Sequence, residues 1–284
     1  MEDLPMSAPH SETLNARCEN GVLYYTFPSM ELPFIRHGFS TRLGGVSEGI
    51  FASMNLGYNR GDDPEKVTEN YRRMGEALGV DYRNMVLSAQ THTTNLRRVS
   101  AADRGRGITF DRGYTDVDGL MTNDPDVVLC THYADCVPLF FVDPVNRAVA
   151  LSHAGWRGTV GGIGAKTVVM MGEEFGTDPA DLLVGIAPSI GRCCFEVDYP
   201  VVAEFEKLPL FDKDCYTDDG NGKYHIDLWE VNRRILLEAG VLPEHITVTD
   251  LCTVCHAETL WSHRATKGER GSAAAFLGLS LDKD

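Results

Sequence analysis

The sequence predicts a mixed α/β fold of the α+β kind. It is one compact, layered domain with mixed β-sheets flanked by helices. Three observations lead there. Strand-like and helix-like segments mix along the whole chain instead of separating into blocks. No internal repeat, low-complexity block or Pro/Gly/Ser-rich linker divides the 284 residues. With 43% apolar content, a chain of this length can bury a sizeable core.

The elements follow in order. Residues 1–20, MEDLPMSAPHSETLNARCEN, read as a flexible polar lead, and the domain proper runs from 21 to 284. The lead has no basic start followed by an apolar run, so it does not read as a signal peptide. GVLYYTF and FIRHGFS read as short strands, followed by the Gly-rich TRLGGVSEGIFASMNLG. Helical spacing with acids in the first turn predicts a helix over Pro64–Leu78. MVLSAQ reads as a strand ending at THTTN, and LRRVS as a short strand after it. VVLCTHYADCVPLFFVDP and RAVALSHAGW read as buried strands, rich in Val, Leu and Phe. GGIGAKTVVMMGEEFG reads as a helix entered through glycines, and DLLVGIAPSIG as a strand and turn. YPVVAEFEKL and LWEVNRRILLEAGV have helical periodicity, the second stopping at Gly240. HITVTDLCTV and SAAAFLGL are late strands.

The formal net charge of −15 argues against nucleic acid as a partner, because phosphate backbones need a basic footprint. No apolar run is long enough to cross a bilayer, so a cytoplasmic location without membrane attachment is expected. In that reducing setting the eight cysteines stay free or bind metal.

Several familiar patterns fail on inspection. CTVCH at 252–256 has the letters of a haem attachment site but no export signal. Cys252, Cys255 and His256 are either a packed turn or part of a second metal site. The HAE that starts at His256 follows its C-x-x-C, the reverse of the deaminase order. GTVGGIGAKT places Ala165 between Gly164 and Lys166, which breaks a phosphate loop. DVDG at 116–119 lacks the later acids of a calcium loop.

Three residues share one local pattern. His92 closes a strand in SAQTHT, Cys136 sits at a strand start in YADCVP, and His153 closes a strand in ALSHAG. Side chains at strand ends can converge, and a thiolate with two imidazoles suits zinc with one coordination position left open. Buried structural residues are the plain alternative, and His37, His132 and His225 compete for the same role.

HGFSTRLGGVSEGIFASMNLG, DGLMTND, ADCVPLFFVDP, HAGWRGTVGGI and APSIGRCCFEV together resemble the laccase-domain, or YfiH-like, family over roughly residues 35–280. Members are described as multicopper polyphenol oxidoreductases, as purine nucleoside phosphorylases that also deaminate adenosine, or as peptidoglycan editing factors. The resemblance implies that His92, Cys136 and His153 are the metal ligands and the catalytic residues. It implies zinc, with copper as the other metal. It further implies phosphorolysis of adenosine, inosine, guanosine or methylthioadenosine with phosphate, and deamination of adenosine. Two departures stand out. Gln90-Thr91-His92-Thr93 replaces the family's Q-V-H-G, and Trp261-Ser262-His263-Arg264-Ala265 replaces F-S-Y-R-R.

For such substrates, Ser40, Arg42 and Gly44-Gly45 are candidates for anion binding, through backbone N–H groups and a guanidinium; an ordinary turn is the alternative. Asn55 either touches ribose or base, or holds a loop. Arg157 lies next to the proposed site or simply packs on Trp156. Asp135 either orients a histidine or caps a turn. Without metal, the same thiol and imidazoles form a nucleophile and base. Nine scattered histidines without H-x-H pairs do not build several copper centres.

Overall fold

The long apolar runs become strands buried on both faces, and this decides the architecture. The computed structural model describes residues 8–280. Its first part contains β1 (Asn15–Glu19), β2 (Val22–Thr26), β3 (Ile35–Ser40), α1 (Pro64–Leu78), β4 (Met85–Leu87), β5 (Leu96–Arg98) and β6 (Gly119–Thr122). The middle holds β7 (Val128–Tyr133), β8 (Val137–Asp143), β9 (Ala148–Ala154), α2 (Trp156–Val160), α3 (Ile163–Phe175) and β10 (Leu183–Ile186). Then come β11 (Glu196–Asp198), α4 (Tyr199–Phe205), β12 (Tyr216–Asp218), β13 (Lys223–Ile226), α5 (Leu228–Glu238), β14 (Ile246–Val248), α6 (His263–Thr266) and β15 (Ala273–Leu279).

Two six-stranded sheets carry the order β1-β2-β3-β15-β7-β4 and β14-β10-β8-β9-β6-β5, and a small third sheet has the order β11-β13-β12. Each large sheet mixes antiparallel pairs with parallel ones: β4 with β7, β5 with β6, and β10 with β14.

Successive side chains of a strand point to opposite faces. On β8, Phe140 and Val142 enter the core between the two large sheets. Leu139 and Phe141 enter a second core with Ile163, Val168 and Met171 of α3 and Val231, Ile235 and Leu236 of α5. On β15, Ala275 and Leu277 face the inter-sheet core, while Ala274 and Phe276 meet Val67, Tyr71 and Met74 of α1. The result is four layers: α1, first sheet, second sheet, then α3 and α5. A strand covered on both sides has no polar face, which is why these segments read as unbroken apolar runs.

The mixed α/β single-domain fold agrees with the sequence. Helix α1 matches its expected span because its end signals are strong. Asp63 accepts a hydrogen bond from the Glu65 N–H, Pro64 occupies the first turn, and Gly79 closes the helix in the left-handed region at φ 70°. The N-terminal lead is corrected in part. Residues 15–19, expected to be flexible, form β1 and pair with β2 from Asn15–Thr26 to Glu19–Val22. Ser11 and Glu12 bond the Asp250 carboxylate, and Leu14 is buried. An edge strand with a solvated face has the composition of a polar lead, so the two look alike in sequence. The first seven residues of that lead lie outside the described residues.

VVLCTHYADCVPLFFVDP separates into β7 and β8, which belong to different sheets. Ala134, Asp135 and Cys136 carry the chain across, with Asp135 at φ 86°. The segment from β4 to β5 makes a second such crossing, with His92 at φ 67°.

Candidate active site

These crossings meet at the C-terminal end of β9. There His153, the penultimate residue of that strand, lies beside Cys136 and His92. One ligand atom from each of the three lies within 4.8 Å of the others. The imidazole centroids of His92 and His153 are 4.9 Å apart. His92 is exposed, Cys136 half-buried and His153 buried, so the group opens to solvent from one side.

Asp118 holds the group in place. Its buried carboxylate accepts hydrogen bonds from the backbone N–H groups of Thr91, His92 and Thr93 at 2.9–3.0 Å. It also lies 2.8 Å from His153 Nδ1. The ring N–H at Nδ1 donates to this carboxylate, which leaves the Nε2 lone pair of the neutral ring free to bind a metal. Asp118 belongs to the DVDG segment, whose acids make no calcium loop. Its role is the histidine-orienting one of the two alternatives open to Asp135. Asp135 instead accepts from Thr253 Oγ1 at 2.7 Å and the Arg264 N–H at 2.6 Å, tying the Cys136 crossing to the late loop.

The charges are strongly coupled. Desolvation pushes the Cys136 thiol up, but His153 beside it, with hydrogen bonds from both imidazoles, brings it down to about 6. Burial pulls His153 down, but the Cys136 thiolate and Asp118 raise it to about 9. Burial likewise pushes Asp118 up, and His153 with the Thr91 and Thr93 N–H groups takes it down to about 2.

Gly155 closes the floor. A Cβ there would lie 3.1 Å from His92 Cδ2 and 3.2 Å from Cys136 Sγ. The three side chains therefore converge on a space kept free by a missing side chain.

The triad borders a cavity of about 510 Å³, within the roughly 300–1,000 Å³ range of small-ligand sites. Its lining divides by chemistry. Trp156, Ile190, Phe195 and Leu228 supply apolar surface, while Arg60, Arg112, Arg264 and Arg270 supply guanidinium groups. Arg97 and Arg106 pair with Asp103 outside the cavity, but among the described residues Arg270 has no carboxylate partner. Its Nη1 donates to Gly271 O and Ser272 Oγ, and its Nε has no acceptor although the residue is 7% exposed. Burial pulls its guanidinium down to about 10, yet that still leaves it cationic at neutral pH. A buried cation that borders a cavity and has no carboxylate within salt-bridge distance among the described residues marks a place for an anion.

Ser40, Arg42 and Asn55 do not border this cavity, and fold contacts occupy their polar groups. Ser40 Oγ accepts from Ala274 N, and Arg42 donates to Ala52 O and Ala257 O while stacking on Trp261 at 4.3 Å. Asn55 Oδ1 accepts from Gly57 N and Ser272 N, so it supports two lining residues from behind. Arg157 stacks on Trp156. His37 is buried away from the triad and accepts the Phe27 N–H, and His225 pairs with Asp219. His132 does line the cavity, with Gln90 bridging to its backbone on both sides. His263 and Arg264, from the segment that departs from the expected motif, line it as well.

The family model described as "Multi-copper polyphenol oxidoreductase laccase" matches residues 36–280. The chain belongs to the laccase-domain family. This laccase-domain chain is 40% identical over 243 residues to a protein of Geobacillus stearothermophilus named "Purine nucleoside phosphorylase YlmD"; the match covers 85% of this chain and 89% of that one. The crystal structure of YlmD from the same organism superposes with a TM-score of 0.88 at 37% identity, covering 95% of this chain and 99% of that one. That of the Bacillus licheniformis hypothetical protein YfiH gives 0.87 at 36% identity, covering 93% and 99%.

The residues present fit a metal. One thiolate and two imidazoles converge, Asp118 orients one of the imidazoles, and the missing Cβ of Gly155 keeps the centre clear. Asp118, Arg60, Arg112 and Arg270 were not singled out from the sequence.

Proposed function

We propose that the protein is a purine nucleoside phosphorylase that holds zinc through His92, Cys136 and His153 and also deaminates adenosine. The observation that carries this reading is one nucleoside-sized cavity lined by the triad, apolar surface and a buried arginine, Arg270, that has no carboxylate partner among the described residues. The Geobacillus stearothermophilus relative, named a purine nucleoside phosphorylase, supports the phosphorylase part of it. Bound zinc supplies Lewis acidity, which orients an anion or activates water.

The chain's own residues account for the rest. Arg270, with Arg60 and Arg112, neutralises and orients phosphate. The faces of Trp156 and Phe195 receive the purine ring. A phosphate oxygen forms a bond to C1′ of the ribose while the bond from C1′ to N9 breaks, and the electron pair leaves with the purine. The Cys136 thiolate lies near the cationic ribose of the transition state, and the N–H donors of His263 and Arg264 meet the departing base. Substrates are adenosine, inosine, guanosine and methylthioadenosine. Phenol oxidation would need several histidine-rich copper centres. Among the described residues, the one group with two histidines is the triad.

Inosine is the deciding substrate, because it has no 6-amino group to lose. Hypoxanthine and ribose 1-phosphate are expected only with phosphate present, and Cys136→Ala should abolish both. Free ribose in phosphate-free buffer would point to hydrolysis instead. No base released from inosine, adenosine or methylthioadenosine at any phosphate concentration would end the reading. Zinc is checked by elemental analysis, where His92→Ala and His153→Ala should lower the metal content.

A further inference from the structure

A second cluster lies outside the triad. Cys193 and Cys194 sit in the turn between β10 and β11, and Cys252 and Cys255 in the turn after β14. Their four Sγ atoms all lie within 4.8 Å of one another. Cys193 Sγ and Cys194 Sγ are each 3.6 Å from Cys255 Sγ. We infer that these four cysteines form a structural zinc site, separate from the triad.

The spacing supports this. A zinc–thiolate bond is about 2.3 Å, so a tetrahedron of four sulfurs has edges of about 3.8 Å. The observed 3.6 Å contacts match such edges, and all eight cysteines are free thiols. Sulfurs on different irons of an iron–sulfur cluster would stand farther apart. The local backbone supports it too. Gly191 N–H points at Cys252 Sγ at 3.3 Å, and an amide donor stabilises a ligating thiolate. Ser189 and Cys252 form a β-bridge, and Thr253 N donates to Ser189 O at 3.0 Å, so the two turns are already in register. The C-x-x-C of the late turn supplies two ligands, as a zinc knuckle does; His256 is not in the group. Four sulfurs without nitrogen or an open position make a closed site, which marks a structural role.

What it would hold together follows from the lining. One turn leads to Ile190 and Phe195, the other to His263 and Arg264. Arg264 also reaches across, donating to Cys194 O at 3.1 Å and Glu196 O at 3.0 Å. An ion on the four thiols would fix both turns, and with them one part of the cavity wall.

The test separates the two sites. The His92→Ala/Cys136→Ala/His153→Ala variant, purified under reducing conditions, keeps the four thiols. It should retain one zinc per chain by elemental analysis. Cobalt(II) in its place should give intense visible bands with thiolate-to-metal charge transfer, and X-ray absorption should count four sulfurs. Adding Cys193→Ser and Cys255→Ser should remove the ion and lower the melting temperature. The inference is overturned if the triple variant holds no zinc or cobalt, if it holds iron, or if the sulfur count is not four. The triple variant decides the matter even where the serine variant fails to fold.

Discussion

Asp118 does two jobs with one carboxylate, and they can be separated. It collects three backbone N–H groups of the His92 turn and holds Nδ1 of His153. Asp118→Asn keeps the shape but puts an amide NH₂ against those donors. Activity and metal affinity should fall by about 10–100-fold, measured as kcat/KM on inosine and by zinc titration. Gly155 makes the opposite test. Its φ of −60° suits any residue, so Gly155→Ala brings no backbone strain. The added methyl would sit 3.1 Å from His92 and 3.2 Å from Cys136. Melting temperature should hardly change, while metal content and turnover drop. A large fall in melting temperature with normal turnover would contradict this account of the floor.

At the scale of elements, β3 carries His37, whose neutral ring accepts the Phe27 N–H that leaves β2. Burial pulls its imidazole from 6.5 down to about 4. The unfolded chain therefore takes up this proton below about pH 6.5, and the folded protein only below about pH 4. Stability from neutral His37 is complete above pH 6.5 and is lost as the pH falls toward 4. The loss amounts to about 3 kcal/mol at most. His132, pulled down to about 3 by burial, acts in the same direction. Melting curves between pH 7 and 4 should fall less steeply for His37→Gln than for the wild type. Elements differ in how far the sequence reveals them. Helix α1 was legible because capping and apolar spacing agree. The third sheet was not, since β11, β12 and β13 are short and largely open, with no apolar alternation to read. Periodicity showed that β7 and β8 are buried, but not that they lie in different sheets, because burial on both faces names no partner. In the site, His92, Cys136 and His153 stood out by residue type and strand-end position. Asp118 stood out only within a DVDG segment that fails as a calcium loop, and Arg60, Arg112 and Arg270 belong to no motif of the sequence. That these arginines border one cavity, with no salt bridge to Arg270 among the described residues, exists only in three dimensions.

At the scale of the molecule, the two large sheets share one core, and Phe140 lies in its middle. It is fully buried, 5.3 Å from the Phe27 ring in an edge-on contact. Phe140→Ala should cost about 3–5 kcal/mol, read from chemical denaturation. Because both sheets supply residues around the triad, that loss should also reduce activity near the transition. A distant truncation that leaves turnover unchanged up to global unfolding would show that the site does not depend on this core.

The position of β15 has a consequence for how the chain is made. This last strand lies between β3 and β7 inside the first sheet, and the segment just before it supplies Arg264, Arg270 and Ser272 to the cavity. On the ribosome, β3 and β7 emerge before β15 and face an empty slot. Until residues 273–279 leave the exit tunnel, both strands present unpaired edges. The site therefore cannot be complete until residues 273–279 have emerged, and a nascent chain must be kept from pairing with a neighbour during that wait.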